Sequence, residues 1–241
     1  MVKSILVLCL LLTPVSGQNF DKRLSIHTLV REDIFAGILT NDLDRLAQGE
    51  KNVDLLLSER PGAKASLLAW KGSIALYRAV AAHEAKREGE FDMQYRRALE
   101  LFSDVKGAAD PRDLGGLIVS GATMLLLADR LPERHRAASY ATAYEAYNIM
   151  WKAQGAAVDK LPLHMRGELL AGLAQSAQRT GHADESTLYL DRMIALLPGT
   201  PYESRAKAWK ARPEIAGRTA LSCQTCHEEG RLAARTAALA K

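Results

Sequence analysis

Residues 166–201 read RGELLAGLAQSAQRTGHADESTLYLDRMIALLPGTP, and this stretch decides the fold. Leu170, Leu173 and Ala174 recur at helical spacing, Gly181 interrupts the run, Leu190 resumes it, and Pro198 closes it. Apolar residues three and four apart line one face of a helix, and glycine and proline end helices. The pattern predicts a helix, a tight turn and a second helix folded back on the first. Ala174 and Ser186 are small where the two would cross, which lets the backbones approach closely.

Outward from this hairpin, no convincing strand alternation occurs between Leu29 and Leu197, and alanine and leucine dominate. Both residues favour helix. Turn signals fall at Arg60-Pro61-Gly62, Glu88-Gly89, Asp110-Pro111, Leu131-Pro132, Leu161-Pro162, Thr180-Gly181 and Leu197 to Pro201. Three segments end alike, in an apolar helix, small residues and a proline: Leu99 to Pro111, Tyr147 to Pro162, and Leu190 to Pro201. Their separation, about 40–50 residues, is that of a helical repeat array. One helix pair cannot bury its apolar face alone, whereas stacked pairs bury a continuous core and leave a concave surface. The spacing from Leu170 to Pro198 resembles the tetratricopeptide repeat, and Trp70 and Tyr77 resemble the start of an earlier one. There Ser73 and Ile74 replace the usual leucine and glycine, and the first helix runs on towards Gly89. Asp33 to Glu59, followed by Pro61, reads as a degenerate opening repeat. The expected fold is all-α: a tetratricopeptide-like array of three to four helical hairpins, closed by a capping helix from Tyr202 to about Lys210. The competing arrangement is a plain helical bundle. Trp70, Tyr77, Tyr144, Tyr147 and Trp151 are read as packing residues rather than a ligand platform.

The ends of the chain carry different signals. Lys3, the apolar run Ile5 to Leu12, the break at Thr13-Pro14 and the small residues Val15-Ser16-Gly17 read as an export signal over residues 1–17. The run is too short to span a bilayer, so no membrane span is expected once it is cleaved; an uncleaved anchor is the alternative. Cys9 follows the bulky Leu8 and is read as discarded with the signal. Residues 18–211 form the expected helical repeat domain. Residues 212–241 are expected to be a linker, marked by Pro213 and Gly217, and an attachment segment. The net charge of +4 spreads over 32 basic and 28 acidic residues. No basic block with interleaved aromatics occurs, so nucleic acid is not an expected partner.

The mature chain keeps only Cys223 and Cys226, within Cys223-Gln224-Thr225-Cys226-His227. Two cysteines separated by two residues and followed by histidine match the c-type haem attachment pattern. The thiols add to the two haem vinyl groups, and the following histidine reaches the iron from one side. The expected cofactor is thus one covalent haem c, bound by Cys223 and Cys226 with His227 as iron ligand. A disulfide would close little chain, zinc wants four ligands, and a redox dithiol of thioredoxin type lacks its strand–helix context; these remain the alternatives. The placement near the C-terminus is similar to class II cytochromes, four-helix bundles whose iron is often five-coordinate. Neither Met nor His follows His227. A sixth ligand would come from upstream, from a partner, or be absent. The upstream candidates are His164, Met165, His182 and Met193. Met193 fits the buried stripe of its helix, His182 follows Gly181 in a turn, and His164 lies in a first helical turn after Pro162.

Taken together, Gly167-Glu168-Leu169-Leu170, Leu197 to Tyr202 and Cys223 to His227 resemble exported bacterial tetratricopeptide-repeat proteins that end in a haem-binding motif. The resemblance implies a periplasmic or otherwise exported location and brings no activity of its own. The motif points to electron transfer, with the array docking a protein partner. The alternative is a protein-binding repeat module, holding a redox protein or a peptide segment, whose haem is structural or sensory. No Ser/His/Asp arrangement, phosphate-cradling glycine loop or zinc-protease helix is present, so a carrier or scaffold is expected rather than a catalyst.

Overall fold

Small local devices set the helix boundaries. Asp42 accepts a hydrogen bond from the Arg45 backbone N–H at 3.0 Å and starts a helix, just after Asn41 has ended the previous one in the left-handed region. Short polar side chains do this well because they satisfy the unpaired donors of a first turn. The computed structural model describes residues 30–108 and 114–216, and every regular element among them is helical. The α-helices are α1 (Arg31–Thr40), α2 (Leu43–Glu59), α3 (Lys64–Glu84), α4 (Glu88–Ala108), α5 (Gly115–Ala128), α6 (Glu133–Gln154), α7 (Leu163–Arg179), α8 (Ala183–Leu196), α9 (Pro201–Ala211) and α10 (Pro213–Ala216). The expected signal segment lies outside the described residues, as does the Cys223 to His227 motif.

Consecutive helices pair as hairpins: α1 with α2, α3 with α4, α5 with α6, and α7 with α8. The first helix of each hairpin also packs on the first helix of the next, and each second helix meets the first helix that follows it. Within the hairpin that opened the sequence analysis, Ser186 of α8 donates to the Ala174 carbonyl of α7 at 2.8 Å, both buried. Gly181 turns that hairpin at φ +83°, a conformation glycine adopts without steric cost. The core runs continuously from Val30 to Trp209, with Trp70, Tyr77 and Tyr147 buried in it. Where a linker was expected, its first residues form the short helix α10, which packs on α7 and α9. Pro213 sits at its start, where a missing N–H costs nothing.

Two polar clamps tie successive hairpins in the same way. Arg130, just past α5, makes a two-pronged contact with Glu84 at the end of α3, both distances 2.8 Å, and stacks on Tyr77. One hairpin on, Arg179 at the end of α7 reaches Asp129 at 2.6 and 3.1 Å and stacks on Tyr140. A buried Ser73–Thr123 hydrogen bond of 2.7 Å adds to the α3–α5 contact. On the other layer, Tyr144 of α6 donates to Glu185 of α8 at 2.6 Å, and Trp151 meets Tyr189 edge to face.

The second clamp makes the fold sensitive to alkali. Burial, and then the hydrogen bond to Asp129, push the Tyr140 hydroxyl up from 10.0 to about 12. An unfolded tyrosine ionises near pH ~10. The stability this group contributes is therefore fully present below that pH and is lost as pH rises towards the folded value. The contribution is on the order of 2 kcal/mol. Tyr77, Tyr144 and Tyr189 are shifted the same way, each chiefly by burial. Urea midpoints across this alkaline range are expected to fall steeply in the parent and less in Tyr140→Phe. Equal slopes would mean that Tyr140 does not carry the effect.

Candidate functional site

The upstream ligand candidates occupy different surroundings. Met193 is fully buried in the core between α8 and its neighbours. Met165 is half-buried in the first turn of α7. His182 is exposed at the start of α8; its Nδ1 lies 2.8 Å from the Thr180 hydroxyl, and its ring stacks on Tyr144 with centroids 4.6 Å apart. His164 is exposed in the first turn of α7, at the opposite end of that helix from His182.

His164 begins a chain of polar contacts that runs into the core. Its Nδ1 lies 3.1 Å from the Tyr202 hydroxyl, and that hydroxyl donates to Glu168 Oε1 at 2.9 Å. Glu168 is 4% exposed and Tyr202 7% exposed. A buried carboxylate is costly unless hydrogen-bonded, so the tyrosine proton is committed to it. With the Tyr202 proton given to Glu168, the Tyr202 oxygen is left to face His164 Nδ1. The order is imidazole to phenol to carboxylate.

Local sequence explains why Tyr202 reaches α7. Thr200 is the N-cap of α9, and its hydroxyl accepts from the Glu203 backbone N–H at 3.4 Å. Glu203 in return accepts from the Gly199 N–H at 2.7 Å. This reciprocal capping, with Pro201 beginning the helix, fixes the angle at which α9 starts. Lys207 and the Gly199 N–H hold the Glu203 carboxyl below its ordinary range. Gly167 completes the fit: a Cβ there would lie 2.4 Å from Tyr202 Cζ, so only glycine lets the ring lie against α7. Arg166 ties the same corner, donating to the Leu161 and Leu196 carbonyls at 3.2 Å each. Sequence reasoning named Gly167, Glu168 and Tyr202 for their resemblance but not for this relay. The signal available was Glu168, a carboxylate inside an otherwise apolar face.

Among the described residues no group of three or more His, Cys, Asp or Glu side chains is placed to hold a metal ion, and no helix is long and apolar enough to cross a membrane. The two thiols and adjacent imidazole at 223–227, expected from the sequence to hold a haem, lie outside the described residues. No protein-family model matches the chain, and no curated protein or solved structure matches it either.

Proposed function

We propose that this chain is an exported c-type haem protein that transfers single electrons, with its helical hairpins serving as a tetratricopeptide-like scaffold on which a protein partner docks. The observation that carries the reading is Cys223-Gln224-Thr225-Cys226-His227, in a chain whose only other cysteine lies in an apparent export signal. The stacking of hairpins, each leaning on the next, supports the scaffold half of it. Cys223 and Cys226 hold the cofactor through thioethers, and His227 binds its iron. When bound, the haem supplies a one-electron ferric–ferrous couple. The last described helices before the attachment segment, α9 and α10, pack on α7.

An equilibrium redox titration of the purified exported protein tests the electron-transfer reading. The haem is expected to cycle completely and reversibly as a single one-electron step, and to be reduced rapidly by a small exported electron-carrier protein. A haem that stays in one oxidation state across the whole range, with no exchange with any carrier, would contradict it and favour the structural role.

A further inference from the structure

We infer that the start of α6 is a proton-released joint of the array: acid detaches His135 and Arg134 from α4 and loosens the third hairpin against the second. The inference rests on the described helices alone and stands apart from the haem reading.

Helix α6 packs chiefly on α5 and α7, and side chains bridge it to α4. At one end the half-buried His135 sets its ring against Tyr95, with centroids 4.4 Å apart, and against Phe91 at 5.4 Å. Arg134 lies over Phe91 at 5.8 Å and comes within 3.8 Å of Glu88. At the other end Lys106 of α4 pairs with Glu145. The His135 and Arg134 bridges are coupled, because Arg134 Nε donates to His135 Nε2 at 3.1 Å. A guanidinium has donors only, so Nε2 holds its lone pair and the imidazole is neutral. A proton added there ends the hydrogen bond and sets two cations side by side.

The charged groups facing His135 are Asp92 and Glu88 on α4, His83 at the end of α3, and Arg134 and Arg136 on α6 itself. Glu84 is taken by Arg130, Glu90 by Arg87, and Arg136 by the Leu131 carbonyl. Burial, and then the Arg134 charge, hold His135 below its ordinary value of 6.5, with Asp92 opposing them. The stability that the neutral ring contributes is therefore fully present above that ordinary value, and is lost as pH falls through the depressed folded one. His83 meets the Phe91 ring as well, at 5.7 Å. Its Nδ1 is buried, makes no hydrogen bond among the described residues, and stands 3.7 Å from Glu88. Once protonated, His83 draws on the carboxylate that Arg134 approaches. Acid thus acts twice in one direction: it turns His135 against Arg134, and it gives Glu88 a partner inside the second hairpin. An imidazolium gains some attraction to an aromatic face, but Arg134 already lies over Phe91.

The test is hydrogen–deuterium exchange of the full chain, read by mass spectrometry at about pH 7.5 and about pH 5, the range in which an ordinary imidazole titrates, and corrected for intrinsic exchange rates. Protection of the opening two turns of α4 and α6 is expected to fall in acid while that of α7 and α8 holds. His135→Gln keeps a group that accepts from Arg134 and does not titrate, so the acid loss should disappear. Arg134→Gln changes a side chain that is 60% exposed and removes the tie to Glu88 without touching the core. Its α6 start should be loose already at neutral pH and change less in acid. Lys106→Gln cuts the other bridge and should leave the acid response intact. A fall spread evenly over all the helices, equal protection of the α6 start at both pH values, or a parent-like response in either His135→Gln or Arg134→Gln would overturn the inference.

Discussion

Replacing Cys223 and Cys226 with alanine is expected to remove the covalent haem completely while the helical domain stays folded. The two effects separate because they rest on different parts of the chain. The core is built by residues from Val30 to Trp209, with Ile215 packed at its margin. The proposed thioethers, by contrast, would have no other source: Cys9 is the one remaining cysteine, and it lies inside the expected export signal. Haem staining after denaturing electrophoresis should go from one equivalent to none, with far-ultraviolet circular dichroism unchanged. Each single alanine variant should retain at most one thioether and a correspondingly weakened attachment. Full staining of the double variant would rule out attachment at this motif.

Gly172→Ala is expected to destabilise the domain by about 2 kcal/mol, although alanine is the better helix former. The gain in helix propensity is at most about 1 kcal/mol. Against it stands Tyr147, fully buried and sent from α6 into a slot between α5 and α7. A Cβ on Gly172 would lie 2.0 Å from Tyr147 Cζ and 2.2 Å from its Cε1, and Gly121 bounds the other side at 2.8 Å from Cε2. The ring has no room to retreat, so the added methyl must displace helices. Overpacking of this kind costs roughly 1–3 kcal/mol and occasionally more. For a domain of this size the thermal midpoint should fall by about 4–8 °C. Gly89→Ala in α4, where an added Cβ meets nothing within 4 Å, serves as the control and should be neutral or mildly stabilising. Tyr147→Ala alone costs about 3–5 kcal/mol. Because the clash needs both side chains, the double variant should be more stable than the sum of the two by over ~1 kcal/mol. Strict additivity would show that the ring and the glycine do not compete for the same space.

Much of the helical framework is legible in the residues. The hairpin at 166–201 announces itself through Leu170, Gly181 and Pro198, and the Ser186 to Ala174 contact sits where small residues were expected. The burial of Trp70, Tyr77, Tyr147 and Met193 follows from helical spacing. The earlier hairpin is harder to read because its close contact has moved: Gly72, two positions before Ile74 where the repeat's glycine was expected, faces Phe102 of α4. The Tyr147 slot is invisible in sequence, since Gly121 and Gly172 become neighbours only after α5 and α7 pack together. The relay behind His164 is hidden for a related reason. A glutamate in a helix ordinarily reads as a solvated charge, and only the arrival of α9, carrying Tyr202, gives Glu168 a buried partner. Similarly, Pro213 reads as a linker signal, yet at the start of α10 its fixed φ favours a helical turn. The proposed attachment motif, at residues 223–227 outside the described ones, shows the reverse pattern. It is stated in five consecutive residues and asks nothing of long-range packing, so it stands out in the chain itself.

The most direct measurement is the intact mass of the protein purified from the exported compartment of cells that possess a haem-attachment apparatus. The expected mass is that of the chain shortened at its signal segment plus one haem, retained under denaturing and reducing conditions. A chain carrying no haem mass, or one lighter by two hydrogens through a Cys223–Cys226 disulfide, would contradict the central claim.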